Sequence, residues 1–249
     1  MREKYGAKSE RSLKLRFHTQ TAGFSLTAQQ PQNNISRTAF QGLAAVLGGT
    51  QSLHTNSMDE TLALPSQHAA EIALRTQQLI AFETGVTNVV DPLGGSWYVE
   101  ELTDKMEKEA YNYFSKIDEL GGVIPAIEMG YFQREIAEAA SDYQRRVDSK
   151  RRIVVGVNEF SKNNEEIEIP ILEIRNEVER EQIEGLKSLR EKRNEETVDA
   201  NLKSITDACR TKDNLIPLII NAAQSHATLG ELVTSMKVVF GEWQETAVG

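Results

Sequence analysis

Cysteine is almost missing from this chain: Cys209 stands alone in 249 residues. An internal disulfide and a multi-cysteine metal site are therefore excluded, and a reducing, cytoplasmic compartment is the natural setting. Long apolar runs are missing too. None approaches the roughly 18 residues of a membrane helix, and the opening MREKYGAKSERSLK lacks the apolar segment of a secretory signal. Positive charge is in deficit. The 28 Lys and Arg face 37 Asp and Glu, a net charge of −9, which argues against nucleic acid as a partner because that role needs a basic face. The Gly-rich signature G-x-G-x-x-G and the P-loop do not occur. No serine sits in a nucleophile elbow, and His18 and His54 lack zinc-site spacing. What remains is an ordinary globular composition, 39% hydrophobic and 26% charged, long enough for one large domain or two small ones.

Charge is unevenly spread. From Phe17 to Ala70 only Arg37, Asp59 and Glu60 are charged, while Gln, Thr, Ser, Asn and His abound. Such a segment reads as the lining of a polar, largely desolvated cavity. From Ser161 onward there are 11 basic and 17 acidic residues, a more solvated composition, and Ser161–Glu166 is the best linker. The organisation is therefore read as 1–160 and 161–249.

Alternation of Leu13, Leu15 and Phe17 with Lys14, Arg16, His18 and Gln20 predicts a strand over 13–20. A helix follows Pro31, capped by Asn33 or Asn34, with Ala39, Phe40, Leu43, Ala44 and Leu47 as its buried face and Gly48-Gly49 as its stop. A second strand is predicted over 50–56, a helix from Pro65 to Phe82, and a third strand over 87–91. Beyond Tyr98 the pattern turns helical, over 101–119, 123–129, 132–148, 173–193, 195–210, 214–224 and 228–240, with one more strand at 153–157. Ile136, Ala139, Ala140, Tyr143 and Val147 share one helix face; Val198, Leu202, Ile205 and Cys209 share another. About three strand–helix units precede the helical part. They make either a small three-layer sheet or the last part of a β/α barrel, whose full form takes about 250 residues.

A strand buried in a parallel sheet is normally apolar on both faces. Here one face of the first strand presents Arg16, His18 and Gln20, and one face of the second presents Ser52, His54 and Asn56. These groups either satisfy one another or line a polar ligand. The loops after both strands favour the ligand: Gly23 allows close approach, and Glu60 can accept two hydrogen bonds from a diol such as a ribose. Neutral hydrogen-bonding groups without an evident nucleophile or metal suit a cofactor that brings its own chemistry.

Several long words carry a family resemblance. The runs Arg16 to Thr27 (RFHTQTAGFSLT), Gly48 to Asn56 (GGTQSLHTN), Asp59-Glu60 with Ala63-Leu64-Pro65, Val90 to Ser96 (VDPLGGS), Arg145 to Ser149 (RRVDS), Val155 to Asn158 (VGVN) and the tail to Gly241 all resemble the large subunit of the methylmalonyl-CoA mutase family. The resemblance implies an α/β fold: the C-terminal part of a β/α (TIM-type) barrel followed by a mostly helical segment. It implies an adenosylcobalamin-dependent isomerase that rearranges the carbon skeleton of an acyl-CoA by radical chemistry. Gly23, Glu60, Ala63 and Leu64 match positions that contact the cobalamin or its adenosyl group. Gln20 and Asn56 match polar groups near that adenosyl, and His18 a residue beside the acyl thioester. Arg16, Ser52 and His54 join them, as substrate-facing residues, from strand parity.

The family's cobalt-ligating word Asp-x-His-x-x-Gly does not occur here, and the residues that fix the acyl carboxylate belong to earlier strands. The resemblance therefore implies partners, namely the N-terminal half of the barrel and a cobalamin-binding domain or small subunit, and an oligomer that is inactive as this piece alone. A sister specificity for isobutyryl-CoA or 2-hydroxyisobutyryl-CoA, and a non-catalytic half-barrel assembly module, remain as alternatives.

Overall fold

A computed structural model describes residues 1–162 and 169–245. Helices α1 (Arg2–Tyr5) and α2 (Glu10–Leu13) precede strand β1 (Thr19–Gln20), and a 3-10 turn follows at Gly23–Ser25. Helix α3 (Asn33–Leu47) leads to strand β2 (Leu53–His54), and helix α4 (Gln67–Glu83) to a 3-10 turn at Val86–Asn88. Then come α5 (Trp97–Glu119), α6 (Val123–Glu128), α7 (Tyr131–Asp148), α8 (Asn176–Lys192), α9 (Glu195–Ala208), α10 (Ile216–Gln224) and α11 (Leu229–Phe240). The result is a mostly helical α/β chain with a small parallel sheet. β1 and β2 pair in parallel, Thr19 opposite Leu53 and Gln20 opposite His54, so β1–α3–β2 is one parallel crossover unit.

The chain divides into two compact units, the first running through Leu172 and the second starting at Glu173. The linker expected at Ser161–Glu166 runs mostly outside the described residues. The second unit is a helical cluster built on Ile205, Cys209, Ala222 and Leu232, with Leu202, Leu218, Ile219 and Met236 packed around them. Local signals start its helices. The Asn194 side chain accepts from Thr197 N at the start of α9, and Thr228 and Glu231 form a reciprocal capping box on α11. Pro217 stands in the first turn of α10, where a missing N–H costs nothing.

The strands depart most from expectation. Residues 10–13 form the helical turn α2, and β1 is confined to two residues. Thr19 N and Thr21 N donate to Ser52 O and His54 O, whereas the Phe17 N–H is taken by the Gln51 side chain, which ends the ladder. Leu15 and Phe17 are exposed rather than packed on helices. The second strand likewise shrinks from 50–56 to 53–54. The strand expected at 87–91 does not form: Val86–Asn88 is a 3-10 turn, Asp91 takes a left-handed φ of 48°, and Val90 is 95% exposed with no strand beside it among the described residues. The strand expected at 153–157 is a tight turn. Gly156 has φ 82°, and Asn158 accepts from Val154 N and donates to Val147 O and Arg152 O, closing the loop with its side chain.

Helix α3 also turns a different face inward. Its buried residues are Asn34, Thr38 and Gly42, while Phe40 is 73% exposed. Gly42 lets α4 approach, since a Cβ there would lie 3.1 Å from Ile80 Cδ1. Neither Asn33 nor Asn34 caps the helix. Gln32 occupies that position without a side-chain bond, and Asn34 uses its amide elsewhere.

On α7, Ile136 is exposed, and α5 buries no residue at all, leaving Trp97 91% exposed with Tyr98, Met106 and Phe114 also in solvent. Apolar surface on that scale drives association. The chain by itself is expected to self-associate at micromolar concentration, and sedimentation velocity showing a compact monomer would overturn this.

Candidate functional site

Pairing in register sets the polar face. With Gln20 opposite His54, the residues alternating along the two segments meet across the ladder. His18 Nδ1 lies 2.8 Å from Ser52 Oγ, and Gln20 Nε2 donates to Asn56 Oδ1 at 3.2 Å. The 3-10 turn after β1 then brings Gly23 against the loop after β2. A Cβ on Gly23 would lie 3.0 Å from Asn56 Nδ2 and 3.0 Å from Glu60 Oε1. Gln20, Gly23, Asn56 and Glu60 thus converge from two loops at the C-terminal ends of two parallel strands.

Burial divides the set. Asn56 is buried; His18, Gln20, Ser52, His54 and Glu60 are exposed, so the polar face is open in this chain rather than enclosed as the low charge implied. Arg16 lies ahead of the strand, and with Phe17, His18, Gln51 and Ser52 it lines an open groove of about 480 Å³. Among the described residues Arg16, His54 and Glu60 make no side-chain hydrogen bond. Ala63 is half-buried and Leu64 exposed, at the end of a turn closed by Leu62 N and Ala63 N donating to Asp59 O.

Two buried atoms in this region lack partners. Asn56 Nδ2 and Asp59 Oδ1 are out of solvent with no hydrogen bond among the described residues. Such groups cost free energy comparable to a lost hydrogen bond until a partner arrives. Asn56 is otherwise well pinned, because its backbone N–H donates to Thr21 Oγ1 at 2.9 Å and its Oδ1 accepts from Gln20. Its free amide donor therefore has one orientation, against Gly23, where a Cβ would come within 3.0 Å of it.

Sequence reasoning missed the residues that hold this arrangement. Gln41 Oε1 accepts from Ala22 N at 2.6 Å and its Nε2 donates to Ser25 Oγ at 2.7 Å, fixing the Gly23 turn. Asp59 Oδ2 accepts from Ser66 N at 2.9 Å, and Ser66 in turn caps α4. Asn34, Thr38 and Gln41 recur at helical spacing, and that polar stripe in an almost uncharged segment was the available signal.

A family model described as methylmalonyl-CoA mutase matches residues 1–242. The large subunit of 2-hydroxyisobutanoyl-CoA mutase from Aquincola tertiaricarbonis is 43% identical over 249 residues, covering 100% of this chain and 44% of that protein. Methylmalonyl-CoA mutase from Escherichia coli is 45% identical over 240 residues, covering 96% of this chain and 34% of that protein. The methylmalonyl-CoA mutase large subunit from Porphyromonas gingivalis is 45% identical over 242 residues, covering 96% and 34%. The chain therefore spans between a third and a half of the length of these relatives. With a family match across nearly every residue, the chain belongs to the methylmalonyl-CoA mutase family.

Proposed function

We propose that this chain forms part of an adenosylcobalamin-dependent acyl-CoA carbon-skeleton mutase, with the Gly23–Asn56–Glu60 cradle receiving the cofactor's nucleoside. The observation that carries this is the convergence, at a glycine whose missing side chain lets the two loops close up, of a buried, unpartnered amide donor on Asn56 and a carboxylate on Glu60. A ribose presents vicinal hydroxyls that both donate and accept. Glu60 accepts from them, and Asn56 Nδ2 donates. The residues present thus fit the group on their own chemistry. Bound there, adenosylcobalamin supplies radical hydrogen abstraction, which no side chain of this site can perform.

The chain's own residues bind and orient. Gln20, by donating to Asn56 Oδ1, fixes which end of the Asn56 amide faces the cradle. In this reading the Ser52 hydroxyl, 2.8 Å from His18 Nδ1, donates to it, which assigns the ring hydrogen to Nε2, where it can donate to a thioester carbonyl without giving up a proton. A rearrangement that changes little charge gains from such positioning more than from proton transfer. Arg16 and His54 face the approach to that carbonyl, with Arg16 set to attract the anionic part of a coenzyme A thioester. Ala63 and Leu64 add apolar contact beside Glu60. Further barrel strands and a cobalamin-binding domain or small subunit complete the site in this reading, in the cytoplasm.

Glu60→Ala in the complete enzyme is the test. Removing the acceptor strands ribose hydroxyls and is expected to weaken cofactor binding about 10- to 100-fold, the equivalent of roughly 1–3 kcal/mol. Unchanged affinity and turnover would sink the proposal. A second reading, a hydroxyacyl substrate, draws on the match to a 2-hydroxyisobutanoyl-CoA mutase across the full chain. Parallel assays with methylmalonyl-CoA and 2-hydroxyisobutyryl-CoA separate the two.

A further inference from the structure

Asn34 and Arg37 sit one turn apart on α3, outside the cradle, yet they bond to the loops that form it. Asn34 is fully buried. Its Nδ2 donates to Thr27 O at 2.9 Å and to Met58 O at 2.9 Å. Its Oδ1 accepts from Thr27 N at 3.0 Å and from Arg37 Nη1 at 2.7 Å. Every hydrogen-bonding position of one amide is thereby used. Thr27 closes the loop that carries Gly23, and Met58 lies in the loop that carries Asn56 and Glu60. One side chain thus spans both halves of the cradle.

Arg37 holds that side chain in place. It is the single basic residue between Phe17 and Ala70, and among the described residues it forms no ion pair. Its guanidinium instead donates to three neutral oxygens: Thr27 Oγ1 at 2.8 Å, Asn34 Oδ1 at 2.7 Å and Val155 O at 2.7 Å. Charge-assisted bonds of this kind are stronger and more directional than neutral ones. The donors come from a planar fork that lysine lacks. An arginine without a carboxylate, in a segment otherwise empty of basic charge, fits the fixing of three loops better than charge balance.

We infer that Asn34 and Arg37 are positioning residues that set the spacing between the Gly23 loop and the Asn56–Glu60 loop, and so tune how tightly the cradle takes its nucleoside. This rests on the cofactor reading proposed above. Neither residue touches the ligand; Asn34 acts through backbone groups at Thr27 and Met58, and Arg37 through Thr27 Oγ1, the Asn34 amide and Val155 O.

The test uses the complete enzyme with Asn34→Ala and Arg37→Lys. Asn34→Ala leaves two carbonyls and one N–H without partners. It is expected to speed amide hydrogen exchange at 22–27 and 58–63 about tenfold or more, with α9 unchanged, because local opening follows local bonding. Adenosylcobalamin affinity, followed by its visible spectrum, is expected to fall about 10- to 100-fold, with turnover at saturating cofactor kept within about threefold. Arg37→Lys keeps the cation and most of the volume and is expected to show the same split at smaller size. It serves alone if Asn34→Ala does not fold. Faster exchange with unchanged affinity would overturn the inference, as would equal losses in affinity and saturated turnover. Glu60→Ala separates the two proposals. If it leaves affinity unchanged the cofactor reading fails and this inference with it, whereas weakened binding in Glu60→Ala beside normal binding in both clamp variants defeats the inference alone.

Discussion

Gly23→Val is expected to reduce adenosylcobalamin affinity of the complete enzyme at least about 100-fold, with a smaller loss of folding stability, about 1–3 kcal/mol. Space is the reason. A Cβ at Gly23 would already lie 3.0 Å from Asn56 Nδ2 and from Glu60 Oε1, inside the roughly 3.5–4.0 Å of an ordinary carbon contact. Glu60 is exposed and can swing away, but Asn56 cannot, since it is buried and held through both its backbone N–H and its Oδ1. The two γ-methyls of valine would then stand between Asn56 and Glu60, where the proposed contacts to the nucleoside converge. Folding should tolerate the change because Gly23 does not have a left-handed φ, so no backbone strain accompanies a side chain. Gly23→Ala, which adds the Cβ without the two γ-methyls, should fall between. Spectral titration of the cofactor beside a thermal melt decides the matter: wild-type affinity in the valine variant would mean that the cradle is not where the nucleoside sits, and a collapse of the melting temperature would mean that Gly23 is structural.

What was readable in the sequence follows from what each element needs. A helix satisfies its own backbone, so its signals are local. The face Val198, Leu202, Ile205 and Cys209 turns inward as the spacing required, and the helices beyond Tyr98 lie within a few residues of where periodicity put them. A strand needs a neighbour. The run from Thr87 to Asp91 reads as β only if another strand supplies the ladder, and Val90 stands in solvent instead. Strand parity was nevertheless informative, because it depends on period two and not on strand length: His18 meets Ser52 and Gln20 meets Asn56 although only two residues per strand pair. Helix α3 misled for a different reason. Its apolar residues share one face by spacing, whereas the fully bonded Asn34 and the missing side chain of Gly42 make the polar, small stripe the one that packs. Hydrophobicity alone cannot reveal that, since a buried amide with every bond made costs little.

The ion cluster of the second unit supplies the other large effect. Arg193 follows α8, its side chain is 3% exposed, and it donates to both carboxylate oxygens of Glu231, at 2.7 and 2.9 Å, and to both of Glu195 at 2.8 Å. Glu231 also accepts from Thr228 N as the capping-box acid of α11. These bonds, the Arg193 guanidinium foremost, hold the Glu231 carboxyl down at about 2, well below the usual carboxylate range. Arg193 is raised further above its ordinary value by the same two carboxylates.

Glu231 has a depressed folded value, so its ionised form stabilises the fold above the unfolded value near 4.5. That contribution is lost as pH falls from there toward about 2. With Glu231 24% exposed, its share is on the order of 2 kcal/mol. Glu195 is largely in solvent and adds little. Arg193→Met fills the buried volume but leaves Glu231 with only the Thr228 N–H and Arg190, 3.6 Å away, and it is expected to cost about 2–4 kcal/mol at neutral pH. For a unit of this size that is about 10–20 °C in melting temperature. The gap between wild type and Arg193→Met should then narrow by about half or more between pH 6 and pH 3, because by pH 3 the unfolded chain has protonated Glu231 while the folded wild type holds it ionised. Helical melts of the two proteins across that range test it. A gap that stays constant with pH would show that Arg193 acts by packing its stem and not by pairing with Glu231.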